Sequence, residues 1–124
     1  MDNSAVTVAV VTQYLSGQSD PEQLQFAFAY TITISNSGEE AVQLLSRHWI
    51  ITDANASVQE VKGDGVIGEQ PVILPGESFT YTSGAMLNTG IGAMEGSYTM
   101  LLPSGDTFEA PVQAFSLHQP GTLH

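Results

Sequence analysis

The stretch LQFAFAYTITIS alternates large apolar side chains with small or polar ones without a break. Leu24, Phe26, Phe28, Tyr30, Ile32 and Ile34 fall on one face of an extended strand, and Gln25, Ala27, Ala29, Thr31 and Thr33 on the other. A helix would scatter that set around its axis, whereas a pleated strand gathers it on one side, against a second layer. Val6 to Leu15 is rich in β-branched residues, and Phe79 with Tyr81, then Tyr98, Met100 and Leu102, repeat the two-residue period. In TFEAPVQAFSL the apolar positions are Phe108, Ala110 and Val112, then Phe115 and Leu117. That change of parity predicts a bulge or corner between Pro111 and Ala114.

Turn chemistry separates these runs. Ser35-Asn36-Ser37-Gly38 reads as a hairpin, Leu74-Pro75-Gly76-Glu77 has Pro and Gly where a type II turn needs them, and Pro103-Ser104-Gly105-Asp106 closes a third connection. No capped segment carries apolar residues at helical spacing for ten residues, so no substantial helix is expected. About seven short strands then give an all-β fold: an antiparallel β-sandwich, immunoglobulin-like in layout, with a small barrel as the alternative. No repeat, linker or low-complexity stretch divides the chain, and residues 1–124 are read as a single domain.

In AVQLLSRHWIITDA both faces look apolar, since Val42, Leu44 and Ile50 share one parity and Leu45, Trp49 and Ile51 the other. A central strand, or a bulge within it, accounts for that pattern. Trp49 is read as a core anchor. Arg47 has the parity of Trp49, so it is expected to pair with an acidic side chain or to lie at an open end of the strand within reach of an anion.

Charge narrows the function. The 124 residues hold 13 Asp and Glu against two basic residues, Arg47 and Lys62, for a formal net charge of −11. Two cations cannot neutralise enough phosphates for nucleic-acid binding. With no cysteine, disulfides, thiolate chemistry and cysteine metal sites drop out. MDNSAVTVAVVTQYL lacks the charged leader and apolar block of a signal peptide, and no run of about 18 apolar residues could span a bilayer. A cytoplasmic chain without membrane partners is expected.

The segment GDGVIGEQP places Gly63, Gly65 and Gly68 in the G-x-G-x-x-G spacing of a dinucleotide-binding turn. That chemistry requires a helix directly afterwards, and Pro71 and Pro75-Gly76 prevent one. What remains is a loop in which glycines shape a strand connection, or in which consecutive N–H groups form an anion nest. Lys62 would favour an anion there, whereas Asp64 and Glu69 would repel it unless magnesium bridged carboxylate and phosphate oxygens. A second glycine-rich stretch, Thr89 to Gly96, is expected between strands, either at the same rim as the first or as an ordinary long connection. His48, His118 and His124 show no metal-ligand spacing, Ser83-Gly84 forms no nucleophile elbow, and Glu39-Glu40 follows a turn into solvent. No catalytic residue, metal or cofactor is assigned, and the chain is read as a non-enzyme.

LLSRHWIITDA, VKGDGVIGEQPVILPGESFTYTSGAML and GAMEGSYTMLL, in that order and spacing, resemble the ApaG family of small bacterial proteins, also called CorD. The resemblance covers nearly the whole chain and implies a fibronectin type III or immunoglobulin-like sandwich. It also implies an association with diadenosine tetraphosphate metabolism, through the placement of the family's gene, and with cobalt resistance and magnesium efflux, through its alternative name. Related domains in eukaryotic proteins look like binding modules. The family's glycine motif falls on Gly63, Gly65 and Gly68, where pyrophosphate or nucleotide binding has been the usual suggestion. Two functional expectations follow. The first is a non-enzymatic binding or adaptor module with a protein partner or self-association. The alternative is a protein binding a phosphorylated small molecule, with magnesium, at Gly63, Gly65 and Gly68, using Arg47 and Lys62 as counter-charges.

Overall fold

The computed structural model describes residues 5–120; His124 and the start of the chain, on which the leader-free reading partly rests, lie outside them. Eight strands follow one another: β1 (Val6–Tyr14), β2 (Phe26–Asn36), β3 (Val42–Asp53), β4 (Val58–Asp64), β5 (Val72–Ile73), β6 (Ser78–Leu87), β7 (Ile91–Leu101) and β8 (Thr107–His118). Among the described residues the only helical turns are two short 3-10 segments, Ser16–Gln18 and Pro21–Gln23. The strands form two antiparallel sheets, β1-β2-β6 and β4-β3-β7-β8, with β5 added beside β3. This is the immunoglobulin-like and fibronectin type III-like sandwich expected, with β5 as the strand beyond the predicted seven.

The alternation in β2 does what its period requires: Phe26, Phe28, Tyr30, Ile32 and Ile34 are buried between the sheets. They meet Trp49, Met94, Tyr98, Met100, Ala110 and Leu117 from the other layer, in one continuous core. Leu24, read as part of that strand, is instead the left-handed residue (φ 57°) ending the second 3-10 turn, and its side chain is exposed. The strand therefore begins two residues later.

Both predicted parity changes are bulges in the larger sheet. On β8, Met94 pairs with Phe115 but Gly96 with Val112, so Gln113 and Ala114 together oppose Glu95. On β3, Leu44 pairs with Met100 and Ser46 with Thr99, which leaves Leu45 as the extra residue. That insertion lets Leu44 and Trp49, of opposite parity in the sequence, both enter the core. β3 is also the central strand, lying between β4 and β7.

Ser35-Asn36-Ser37-Gly38 does not make a hairpin, because β2 and β3 belong to different sheets. The segment is a crossing, and buried Asn36 holds it together. Its side-chain amide donates to the Glu40 and Ile73 carbonyls, and its Oδ1 accepts from the Gly38 N–H. Its main chain also bonds Gly76 and Glu77. The other two turns form as read: Glu77 N–H donates to Leu74 C=O with Gly76 at φ 81°, and Gly105, at φ 94°, lies in the β7–β8 hairpin.

Candidate functional site

The three glycines lie at the end of β4 and in the turn after it, and each has its own physical reason. Gly63 pairs with Arg47 across β3 and β4. A Cβ at Gly63 would lie 2.8–2.9 Å from the Arg47 guanidinium, so the missing side chain makes room for that group. Gly65 has φ +62°, and a Cβ there would overlap the Glu69 carbonyl. Gly68 (φ +79°) follows Ile67 (φ 44°) in a two-residue turn closed by Val66 N–H to Glu69 C=O at 2.8 Å and Glu69 N–H to Val66 C=O at 2.9 Å. Positive φ at both central positions is the type I′ pattern. Buried Val66 pins the turn to the core while Ile67 stands in solvent.

A turn of this kind offers an anion little compared with a helix start. Gly65 N–H is already committed to the carbonyl of the bulged Leu45, which also accepts from Gln70 Nε2. Only the N–H groups of Ile67 and Gly68, of those between Gly65 and Glu69, have no partner among the described residues.

Arg47 faces the sandwich interior, but among the described residues no acidic side chain pairs with it. Its Nη1 donates to the backbone carbonyls of Gly65 (2.9 Å) and Asp64 (3.2 Å), fixing how the chain leaves β4. The acidic partner expected for it is replaced by main chain, because the neighbouring glycine lets the guanidinium lie against the backbone. The same side chain lines a cavity of about 320 Å³ with Tyr30, Tyr81 and Ser83 of the smaller sheet, Asp64 at the end of β4, and Ile67 and Gly68 of the turn. Lys62 is elsewhere. It pairs with His48, one residue out of step with Arg47, and so points from the opposite face of the sheet. There it lies 3.8 Å from Glu60, whose carboxylate also meets His48 Nε2 at 2.6 Å. The hydrogen bond from His48, then the charge of Lys62, hold Glu60 below its ordinary carboxylate value.

The second glycine-rich stretch is largely strand. Gly92 to Gly96 belong to β7, where Gly92 pairs with Asp53 and Gly96 with Trp49. Asp64 pairs with Ser46, seven residues or about 23 Å along β3 from Asp53, the partner of Gly92, so the Gly65–Gly68 turn and the loop before Gly92 lie at opposite ends of that strand rather than on one rim. Gly96 is required by packing, since a Cβ there would overlap the His48 carbonyl and press on the Trp49 ring.

Several features were not foreseen. The hydroxyls of Tyr81 and Tyr98 hydrogen-bond to each other between the sheets. Burial pushes Tyr81 up to about 12, and burial together with the neighbouring Tyr81 pushes Tyr98 up as well. Trp49 is enclosed by Tyr30, Tyr98 and Phe115 with ring centroids 5.7–5.9 Å away, and its buried indole N–H has no hydrogen-bond partner among the described residues. Strands β1, β2 and β6 contain no Asp, Glu, Lys, Arg or His at all. Inward parity could have flagged the tyrosines, and a count of charge per strand could have flagged the third feature. Among the described residues no group of three or more His, Asp or Glu could hold a metal ion, and no helix is long and apolar enough to cross a membrane.

Comparison with known proteins agrees with the fold. Residues 16–102 match the family model described as the ApaG domain. Protein ApaG of Pseudomonas paraeruginosa is 58% identical over 119 residues, covering 96% of this chain and 94% of the relative. The X-ray structure of the structural-genomics target SoR45 superposes with a TM-score of 0.93 at 48% identity, covering 98% of this chain and 92% of the other. A crystal structure of a Bordetella pertussis protein described as putative ApaA gives a TM-score of 0.91 at 50% identity, covering 94% and 95%. With the matched block spanning the β2–β7 core, the Arg47 cradle and the type I′ turn, this chain belongs to the ApaG family.

Proposed function

We propose that the chain is a single-domain, non-enzymatic binding module that engages a protein partner through its sheet surfaces. The observation that carries this reading is the distribution of charge. In a protein of formal charge −11, the strands of one entire sheet carry no Asp, Glu, Lys, Arg or His. Its outer face pairs hydroxyls instead, Thr31 with Thr82, Thr33 with Thr80 and Ser35 with Ser78, at 2.8–3.1 Å. An uncharged, ordered face desolvates more cheaply than one carrying carboxylates, which suits protein contact. The test is cross-linking of the tagged chain in cell extract at moderate salt, with mass spectrometry of the adducts. A stoichiometric adduct through β1, β2 or β6 is expected; a chain that stays monomeric and uncross-linked overturns the reading. The family's association with diadenosine tetraphosphate metabolism and with cobalt and magnesium resistance supplies the cellular setting in which to seek that partner.

A second reading, a site for a phosphorylated small molecule, is favoured by one feature: the uncommitted N–H groups of Ile67 and Gly68 lie beside the cavity that Arg47 lines. Lys62 does not contribute from its side of the sheet, and Asp64, of the same parity on β4, offers the cavity its main-chain carbonyl, already held by Arg47, so magnesium is the further counter-charge to test. Amide spectra recorded with millimolar pyrophosphate or diadenosine tetraphosphate, with and without magnesium, decide it. Shifts at Ile67 and Gly68 are expected on this reading, and their absence removes it.

A further inference from the structure

Along one side the two sheets approach each other through edge strands that do not pair. β1 pairs with β2 alone and β8 with β7 alone, and between these two edge strands runs a cavity of about 380 Å³ lined by Val6, Val8, Val10, Pro111, Val112 and others. No ladder joins them. The direction of the free backbone groups on β1 follows from its ends: Ala5 C=O accepts from Ser37 N–H, and Leu15 N–H donates to Ala27 C=O. In an antiparallel pair such bonding residues alternate, so the odd residues 5–15 face β2, and Val6, Val8, Val10, Thr12 and Tyr14 turn their N–H and C=O groups into the groove.

Exposed strand edges are ordinarily blocked by charge, proline, a bulge or a covering segment. β4 carries Glu60, Lys62 and Asp64. β8 carries Pro111 and the Gln113–Ala114 bulge on its groove side. The edge of β6 is partly covered, because Gln59 Nε2 reaches the Met86 carbonyl and the Val66–Glu69 turn stands over Tyr81 and Ser83. Among the described residues β1 itself carries none of these devices: VTVAVVTQY is regular, unbroken in register and uncharged.

Charge identifies the occupant. Glu39 and Glu40 stand beside Ala5 and Val6 at one end of β1, and Asp20 and Glu22 follow its other end. A second copy pairing antiparallel with β1 would set these carboxylates against one another, on two chains of charge −11 each. We propose that the β1–β8 groove receives an extended, uncharged segment of a partner protein, flanked by Lys or Arg, which joins β1 as an added strand. The segment's backbone would pair with residues 8, 10 and 12, its inward side chains would cover Val8, Val10 and Val112, and its flanking cations would meet the acidic ends. This rests on the binding-module reading and names the place and the chemistry of the partner.

The test uses the full chain and the synthetic peptide Lys-Lys-Thr-Val-Thr-Val-Thr-Val-Lys-Lys. Hydrogen exchange followed by NMR should slow by about tenfold or more at the amides of Val8, Val10 and Thr12, while those of Thr7, Ala9 and Val11, already paired, change little. N-methylation of alternate peptide residues should abolish the effect when it falls on one edge of the peptide and leave it when it falls on the other. A peptide with Glu in place of the four Lys should not bind. Thr12→Pro, which removes a groove-facing N–H and spares the β2 ladder, should weaken binding about tenfold with the melting temperature little changed, and Val11→Lys should weaken it by charge alone. The proposal is overturned if the even-numbered amides keep their exchange rates, if both methylated peptides bind alike, or if the slowing rises with protein concentration without peptide, which would identify a second copy. A cross-linked cellular partner indifferent to Thr12→Pro and Val11→Lys would overturn the groove assignment and leave the binding-module reading standing.

Discussion

The β1-β2-β6 sheet and the β4-β3-β7-β8 sheet bury the same kind of inner face and differ in nearly everything else. The smaller sheet carries no charged residue and no bulge, and hydroxyl pairs cover its outside. The larger one holds Arg47, His48, Asp53, Glu60, Lys62, Asp64, Glu95, Glu109 and His118, and a bulge in each of β3 and β8. Interior packing constrains one face of a strand, so the other is free to be specialised. Here one sheet took the ion pairs, the glycine turn and the aromatic anchor, and the other was left neutral.

The contrast can be broken most severely at its anchor. Trp49→Ala, in the larger sheet, should cost about 3–5 kcal/mol in chemical denaturation, because three aromatic rings lose their common neighbour. Glycines give a matched comparison next. Gly96→Ala should cost about 2–3 kcal/mol, since its Cβ would collide with the strand beside it, whereas Gly84→Ala in β6 meets nothing closer than the Phe28 carbonyl at 3.4 Å and should stay within about 0.5 kcal/mol.

The tyrosine bridge joins the two layers and sharpens the comparison further. Tyr81→Phe or Tyr98→Phe alone strands one buried hydroxyl and should cost about 1–2 kcal/mol, while the double variant should be milder than the sum of the two. Because the folded values are raised, the stabilisation is complete below the ordinary tyrosine value near 10 and is lost as pH climbs toward about 12. Thermal melts from pH 9 upward should therefore fall, and the double variant should fall less steeply. The smallest effect is expected at the exposed Glu60. Its lowered value means its contribution is present at neutral pH and fades on acidification, so Glu60→Gln should lower the neutral melting temperature only slightly, and the difference from the parent should vanish as pH falls through the carboxylate range.

Much of this architecture could be read from the chain. Alternation in β2 set an inside and an outside, and the parity changes within AVQLLSRHWIITDA and between Pro111 and Ala114 pointed to the irregular stretches where the ladders place bulges, at Leu45 and Gln113–Ala114. The crossing at Ser35–Gly38 was misread because Asn-Ser-Gly sequences suit a tight turn equally well, and only the pairing partners of β2 and β3 show that the chain changes sheets. The glycine turn was legible as a non-helical feature through Pro71, but the role of Gly63 was not. It depends on Arg47, distant in sequence and adjacent only once β3 and β4 are in register. For the same reason Arg47 and Lys62, both cations near one loop on paper, stand on opposite faces in space.

The absence of any slip in the β1–β2 and β2–β6 ladders has a geometric consequence. An extra residue coils a strand and throws its later neighbours out of phase, so a layer containing such faults resists lateral growth. A layer with none keeps the same repeat out to its margin, where the next row of amides and carbonyls would fall into step. The neutral layer is thus the half of the molecule built like an unfinished lattice.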